Sequence, residues 1–526
     1  MSVPRLDAIV IGSGLEELVV AARLAGAGRR VVVLEPRDSV GGAAAGEQIL
    51  PGFRMDPVYA DAGFLDPRAL GDLELDRHGV SLLTPDPFLA APADRGDSLV
   101  LWRDLARSRA SIARRSAGDA DHWPGFAARM ETFARVLEEL AGRPPVRPGG
   151  PLLDLAPFLG LGRRIRGLGR ERMTELFRVL PLPAHDLLED EFRDPLLKGV
   201  LAAMSVRGVF QGPRSPGTAL AFLHHHVGSP GGVFGIRTVV RGGVARLADA
   251  LATAARARGV EIRLGASVER IACTNGRAAG VALASGEEIV SRVVVSGADP
   301  RRTLLDLAGT EALDPDFVHA VRQIRFRGGF ARIHLALSEA PRFEGISEAV
   351  PGVIAIASDL EHVERAYDDA KHGRASELPV LEARIPSLAD ASLAPEGRHV
   401  MSVDVRFVPV GDRGQGDYAP DALADRVVEV LAERAPTLPG TILERKVLMP
   451  ADMEERYGWT NGDPYQGELA LDQLLFMRPV PGWAGYRTPI PGLYLCGTGT
   501  HPAGAITGAS GRHAANAVLE DLGGAR

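Results

Sequence analysis

Near the N-terminus the residues able to do chemistry are backbone amides rather than side chains. Gly12, Ser13 and Gly14 follow the apolar run Ala8 to Ile11, and a second apolar run, Val31 to Leu34, ends in Glu35. Glycines at a strand-to-helix turn let N–H groups approach a pyrophosphate at a helix N-terminus, where the helix dipole favours negative charge. An acid about 20 residues further on accepts from a ribose hydroxyl, and Glu35 lies 21 residues beyond Gly14. One residue departs from the pattern. Where the third glycine of such a turn lets helix and strand pack closely, this chain has Glu17. A carboxylate there must turn away from a pyrophosphate or oppose it, at roughly 4 kcal/mol for two unit charges about 4 Å apart in an effective dielectric near 20.

Other reactive side chains are few. His501, beside Pro502, could orient a substrate or act as a base, and a structural loop histidine is the plainer reading. His224, His225 and His226 are consecutive, so on any regular element they diverge, which disfavours a metal site. Arg478 is a candidate contact to substrate or cofactor, set against an ordinary surface ion pair. Cys273 and Cys496 are too far apart in sequence to suggest a redox pair and are expected to be buried, unreactive thiols. The stretch Leu161 to Arg172 is basic and partly apolar; it reads as a solvated face, with contact to an anionic membrane surface as the alternative.

These residues need a scaffold of alternating strands and helices. Ala8–Ile11, a helix through Leu24 and Val31–Leu34 form a βαβ unit. A glycine turn and amphipathic helix from Val239, a strand at Val260 to Leu264 and apolar runs at Ser267 to Ile271, Ala279 to Leu283 and Ile289 to Ser296 resemble that unit. Between them, about 67 to 228 is dominated by helical patterns. A second insert, about 299 to 479, carries alternating strands at Ala331 to Leu337, Val353 to Ala357 and His399 to Phe407, and a helix at Asp421 to Ala435. Strand Gly492 to Cys496 and a helix from Gly511 to Leu522 end the chain. Residues 1–66, 230–298 and 480–526 are thus expected to form one domain, and 67–229 with 299–479 a second, with substrate in the cleft between. A chain of 526 residues with 45% hydrophobic content can bury more than one core. A net charge of −7 argues against general nucleic-acid binding. No apolar stretch suits a spanning helix, so a cytoplasmic protein, or one peripheral to a membrane, is expected.

Taken together, four stretches resemble the two-dinucleotide-fold flavoproteins. They are Val10-Ile-Gly-Ser-Gly with Glu35 and Gly41-Gly42; Arg241-Gly-Gly-Val-Ala-Arg-Leu-Ala-Asp-Ala-Leu; Leu471 to Trp483; and Gly492 to Ala515. Within that class the chain resembles the phytoene desaturase-like group, nearest to the branch of pyridine nucleotide-disulphide oxidoreductase domain-containing protein 2 and its bacterial relatives. The resemblance implies an α/β fold: a discontinuous Rossmann-like FAD domain with an inserted α+β substrate domain. It implies FAD, with Gly12, Ser13 and Gly14 at the pyrophosphate, Glu35 at the ribose, and Pro36, Arg37, Gly41 and Gly42 along the path to the flavin. Val268 would meet the adenine through its backbone, Gly497 the pyrophosphate from the other side, and Gly504, Ala505, Ile506 and Thr507 the isoalloxazine. The helix near Gly508 would aim its N-terminus at the flavin. Relatives carry glycine at Glu17, Ala503 and Ala505. The implied activity is hydride transfer from a mostly apolar organic substrate to flavin N5, with reoxidation by oxygen or a quinone. Alternatives are a redox-neutral flavin-dependent isomerase, an interaction or regulatory protein with a degenerate cofactor site at Glu17, and NAD binding by the first unit. Partners are a small molecule, a membrane surface by peripheral contact and a second copy of the chain, with no nucleic acid.

Overall fold

The computed structural model describes residues 6–59, 61–94, 96–145, 156–346, 351–408, 419–504 and 506–523. Strand β1 (Ala8–Ile11), helix α1 (Leu15–Gly26) and strand β2 (Val31–Leu34) form as their apolar runs require: every residue of both strands is buried, as expected of a parallel sheet covered on both faces. The sheet has five parallel strands in the order Glu261–Arg263, β2, β1, Val294–Ser296, Leu493–Leu495, so segments distant in sequence share one layer. Helices Ala245–Ala257 and Ala509–Asp521 flank α1. The second of these lies backbone to backbone with it, since a Cβ on Gly511 would come within 2.4 Å of the Glu16 carbonyl.

The apolar run Ile289 to Ser296, read from sequence as one strand, is two. Glu288–Val290 closes an antiparallel three-stranded sheet with Val268–Thr274 and Arg277–Leu283, whereas Val294–Ser296 joins the parallel sheet. The break falls where the Ser291 hydroxyl bonds both the N–H and the carbonyl of Val293, satisfying locally what a continuous ladder would use.

A mixed seven-stranded sheet stands opposite, in the order Ile442–Leu448, Ala331–Leu337, His399–Val405, Leu381–Arg384, Val353–Ile356, Leu89–Ala91, Leu99–Leu101. Its outer face packs on helix Pro420–Ala432. Helices Ala117–Ala141, Pro195–Ser205 and Thr218–His224 enclose a core around Phe126, Phe133, Phe192 and Phe222. The hairpin Leu89–Leu101, unmarked in the sequence reading, belongs to the same insert as these helices and pairs in parallel with Val353 and Ile354. Chain ends meet where Ile506–Thr507 pairs with Phe64–Leu65. Among the described residues, no helix is long and apolar enough to cross a membrane.

Candidate functional site

The glycine turn is held open by its own hydrogen bonds. Gly12 sits at φ +93°, a conformation L side chains rarely adopt. The Ser13 amide and hydroxyl both donate to Glu35 Oε2, at 2.9 and 2.6 Å, while the Gly41 amide donates to Ser13 Oγ at 3.1 Å. Arg37 donates from its amide to Glu35 Oε1 (3.1 Å) and from its guanidinium to the Gly42 carbonyl (2.6 Å). Gly14 and Gly42 lie against each other; a Cβ on Gly42 would stand 3.6 Å from the Gly14 Cα. The two glycine turns thus form one wall, of the kind a diphosphate lies along, with the Glu17 carboxyl close by: a Cβ on Gly14 would meet its Oε2 at 2.4 Å.

That space is one end of a cavity of about 460 Å³. Gly12, Ser13, Gly14, Glu35, Pro36, Arg37, Gly41, Gly42, Val268, Gly497, Gly504 and Thr507 all line it. Ile506 reaches the region through its backbone pairing with Phe64, and Ala505 lies outside the described residues. His501 is not among the lining residues: it is buried, with Nε2 on the Leu140 carbonyl at 3.2 Å.

Two carboxyl groups at the start of α1 decide how the site is charged. Glu17 also lines the cavity, but its side chain turns under the turn toward the ends of Val294–Ser296 and Leu493–Leu495. Oε1 lies 3.9 Å from Cys496 Sγ, and a Cβ on Gly297 would collide with it at 1.8 Å. Burial, reinforced by Glu16 and Glu35, pushes its pKa up to about 8. At pH 7 it is a neutral acid, which removes the repulsion that its residue type suggests. Glu16, which the sequence reading did not single out, accepts from the Gly508 amide at 2.6 Å and the Gly511 amide at 2.7 Å. Burial raises it to about 7. The N-terminus of Ala509–Asp521, expected to face the flavin, thus has two of its amides engaged by Glu16. The signal was faint, because an acid in the first turn of a helix usually serves its own helix dipole.

At the other end stand side chains from the seven-stranded sheet. Arg332 is directly opposite Asp404, which is directly opposite Glu382. Arg332, Arg384 and Arg406 all pair with Asp404, and Arg207, Arg384 and Arg406 with Glu382. These four arginines and Asp404 line the cavity, together with the pair Arg237 and Asp61 at 2.7 Å. The histidine triplet ties this end to the C-terminal loop. Nε2 of His224 donates to the Gly504 carbonyl at 2.7 Å, and Nε2 of His225 to the Arg207 carbonyl at 3.0 Å. Burial holds all three imidazoles below their ordinary pKa, hence neutral. No group of metal-ligating side chains exists among the described residues.

Arg478 is neither a surface ion pair nor a cavity residue. It is buried and donates to the carbonyls of Tyr465, Gly467, Glu468, Gln473 and Thr498, tying together the loops behind the C-terminal glycines. Cys496 is buried, but Cys273 is half-exposed at a sheet edge, against the expectation of two buried thiols. Ala503 adopts φ +79°, which explains why glycine suits that position.

The flavin containing amine oxidoreductase family matches residues 104–519, and an NAD(P)-binding Rossmann-like domain matches residues 10–68. The chain belongs to the flavin-containing amine oxidoreductases. This family member is an FAD-dependent oxidoreductase, and the glycine-lined end of the cavity, at Gly12 to Gly14 with Gly41 and Gly42, fits that dinucleotide. It is 34% identical to mouse pyridine nucleotide-disulfide oxidoreductase domain-containing protein 2 over 99% of this chain and 94% of that one. It is 26% identical to the lycopene-forming phytoene desaturase of a Paracoccus species over 98% of each. In fold, the family member is similar to an oxidoreductase from Methanosarcina mazei, with a TM-score of 0.62 at 17% identity over 98% of this chain and 100% of that one.

Proposed function

We propose that this oxidoreductase removes a hydride from a C–H bond of a mostly apolar organic substrate, and that oxygen or a quinone takes the electrons onward. When bound, FAD supplies the hydride acceptor at N5. The observation that carries the reading is one continuous cavity reaching from the Ser13 turn to the seven-stranded sheet, with Gly497, Gly504 and Thr507 in its wall. On this reading residues 1–66, 230–298 and 480–526 bind FAD, and 67–229 with 299–479 enclose the substrate. Gly12, Ser13 and Gly14 form the turn that the pyrophosphate meets, the Ser13 and Gly12 amides being held by Glu35 and Leu34, with Gly497 opposite. Glu35, its Oε2 already engaged by Ser13, accepts from the ribose. Pro36, Arg37, Gly41 and Gly42 line the approach, and Val268 meets the adenine. Gly504, Ala505, Ile506 and Thr507 bed the isoalloxazine, Gly504 being held by His224. Val58, Tyr59, Phe330, Trp459 and Tyr465 supply apolar wall that excludes water from a hydride path. No protein base is assigned: the hydride leaves to the bound flavin, the proton of the neighbouring carbon is lost to water as the double bond forms, and His501 is turned to a backbone carbonyl.

Exposed Leu159 and Phe177, which flank the exposed Arg163, Arg166 and Arg170 in sequence, are the residues that would touch an anionic membrane if the enzyme takes its substrate from lipid. Anaerobic mixing of the yellow holoenzyme with substrate tests the proposal. Bleaching of the flavin, with a product one double bond richer, supports it. Isomerised product without net bleaching supports the redox-neutral reading, and a colourless protein that rejects added FAD refutes both.

A further inference from the structure

The substrate end of the cavity carries more positive charge than its own acids neutralise. Arg207, Arg237, Arg332, Arg384 and Arg406 line it, with only Asp61 and Asp404 among the carboxylates of that wall. Glu382 stands behind, under Arg207 and Arg406, and Asp56, whose Oδ1 accepts from the Val244 amide, lies behind Arg332. With all four acids ionised, five guanidiniums still leave an excess of one positive charge. Arg207, Arg332 and Arg406 are buried. Each guanidinium has a carboxylate partner, but the buried group as a whole holds one more cation than anion, an imbalance that a further anion would relieve.

A second observation marks where the missing partner belongs. Arg406 is 8% exposed, its Nη2 reaches Glu382 at 2.7 Å, and its Nε has no hydrogen-bond partner. Arg332 and Arg406 lie over the ring of Phe330, with guanidinium carbons 5.3 and 5.2 Å from its centroid, and Phe330 is itself cavity wall. The group is also close to the C-terminal loop. Tyr465, whose ring would meet a Cβ on Gly504 at 2.8 Å, lies with its ring 5.9 Å from that of His225, the partner of the Arg207 carbonyl, and the Thr507 hydroxyl donates to the Ala62 carbonyl beside Asp61 at 2.7 Å. The planar fork of arginine matches a carboxylate in two-point contact.

We propose that the substrate of this enzyme carries a carboxylate, held by Arg406 with Arg384 and Arg207, while its apolar skeleton lies along Phe330 and Tyr465. This deepens the proposed reaction and rests on it only for the position of the skeleton. An amine headgroup is disfavoured by the same excess charge, and a pure hydrocarbon leaves it uncompensated.

The test is a matched series on the FAD-loaded enzyme: octanoate, 1-octanol and octylamine, followed by calorimetry and by perturbation of the flavin spectrum. Octanoate is expected to bind about tenfold or more tighter than either analogue, weakening as salt rises. Arg406→Gln should weaken octanoate about tenfold, leaving 1-octanol and flavin content unchanged; should that variant fail to fold, Arg406→Lys, which keeps the charge but loses the fork, serves in its place. Equal or tighter binding of octylamine or 1-octanol overturns the proposal, as does octanoate affinity indifferent to both substitutions. Calorimetry separates this from the redox reading, since octanoate can bind where no substrate bleaches the flavin, and bleaching by an uncharged substrate can occur where octanoate fails.

Discussion

Glu17→Gln isolates the residue on which the cofactor site turns, because it keeps the shape of the side chain and removes its proton equilibrium. Burial lifts the Glu17 carboxyl from 4.5 to about 8, a shift that costs the ionised form about 5 kcal/mol at about 1.4 kcal/mol per unit. The folded chain holds this proton more tightly than the unfolded chain. Stability therefore falls as pH rises from about 4.5, and the loss is complete above about 8. Glutamine feels none of this, so the variant should match wild type near pH 4.5 and exceed it by about 3 kcal/mol at pH 7 and about 5 kcal/mol above pH 8. Because Glu17 lines the same cavity as Gly12 to Gly14, the neutral form is the one compatible with an anionic diphosphate. Wild-type affinity for FAD should fall by up to about tenfold per pH unit above about 8, while the variant stays flat. Urea unfolding across pH measures the first effect, and quenching of FAD fluorescence by apoprotein measures the second. Parallel wild-type and variant curves in both assays would falsify the neutral-acid reading.

Glu16→Ala should destabilise by about 2 kcal/mol in thermal unfolding, because the Gly508 and Gly511 amides lose a buried acceptor. Ala503→Gly should stabilise by about 1 kcal/mol in urea by relieving a left-handed backbone at φ +79°. Arg478→Met leaves the carbonyls of five residues without their donor; a loss of about 3 kcal/mol or more in chemical denaturation is expected. His501→Gln should lower the melting temperature but leave the anaerobic rate of flavin reduction within about twofold. A loss of about a hundredfold, the size expected for a removed general base, would restore that histidine to the chemistry.

What the sequence made legible follows from how each part is buried. Strands β1 and β2 are covered on both faces, so they read as unbroken apolar runs, and the turn and acid between and after them stand out against that background. The seven-stranded sheet was legible as alternation in Ala331 to Leu337 and His399 to Phe407, but alternation carries an assumption, that the polar face meets water. Here Arg332, Asp404 and Arg406 are 2, 3 and 8% exposed. A charged residue on every second position looks the same in sequence whether the face is solvated or roofed by another domain, and only the pairing of Arg332 with Asp404 across strands 72 positions apart distinguishes them. Glu16 was hidden for the same reason: its partners lie 492 and 495 positions away. Local periodicity thus located the scaffold and the glycine turns that line the cavity. The part of the site made of buried charge depends on contacts that no local pattern encodes, and there the residues that would choose a substrate are found.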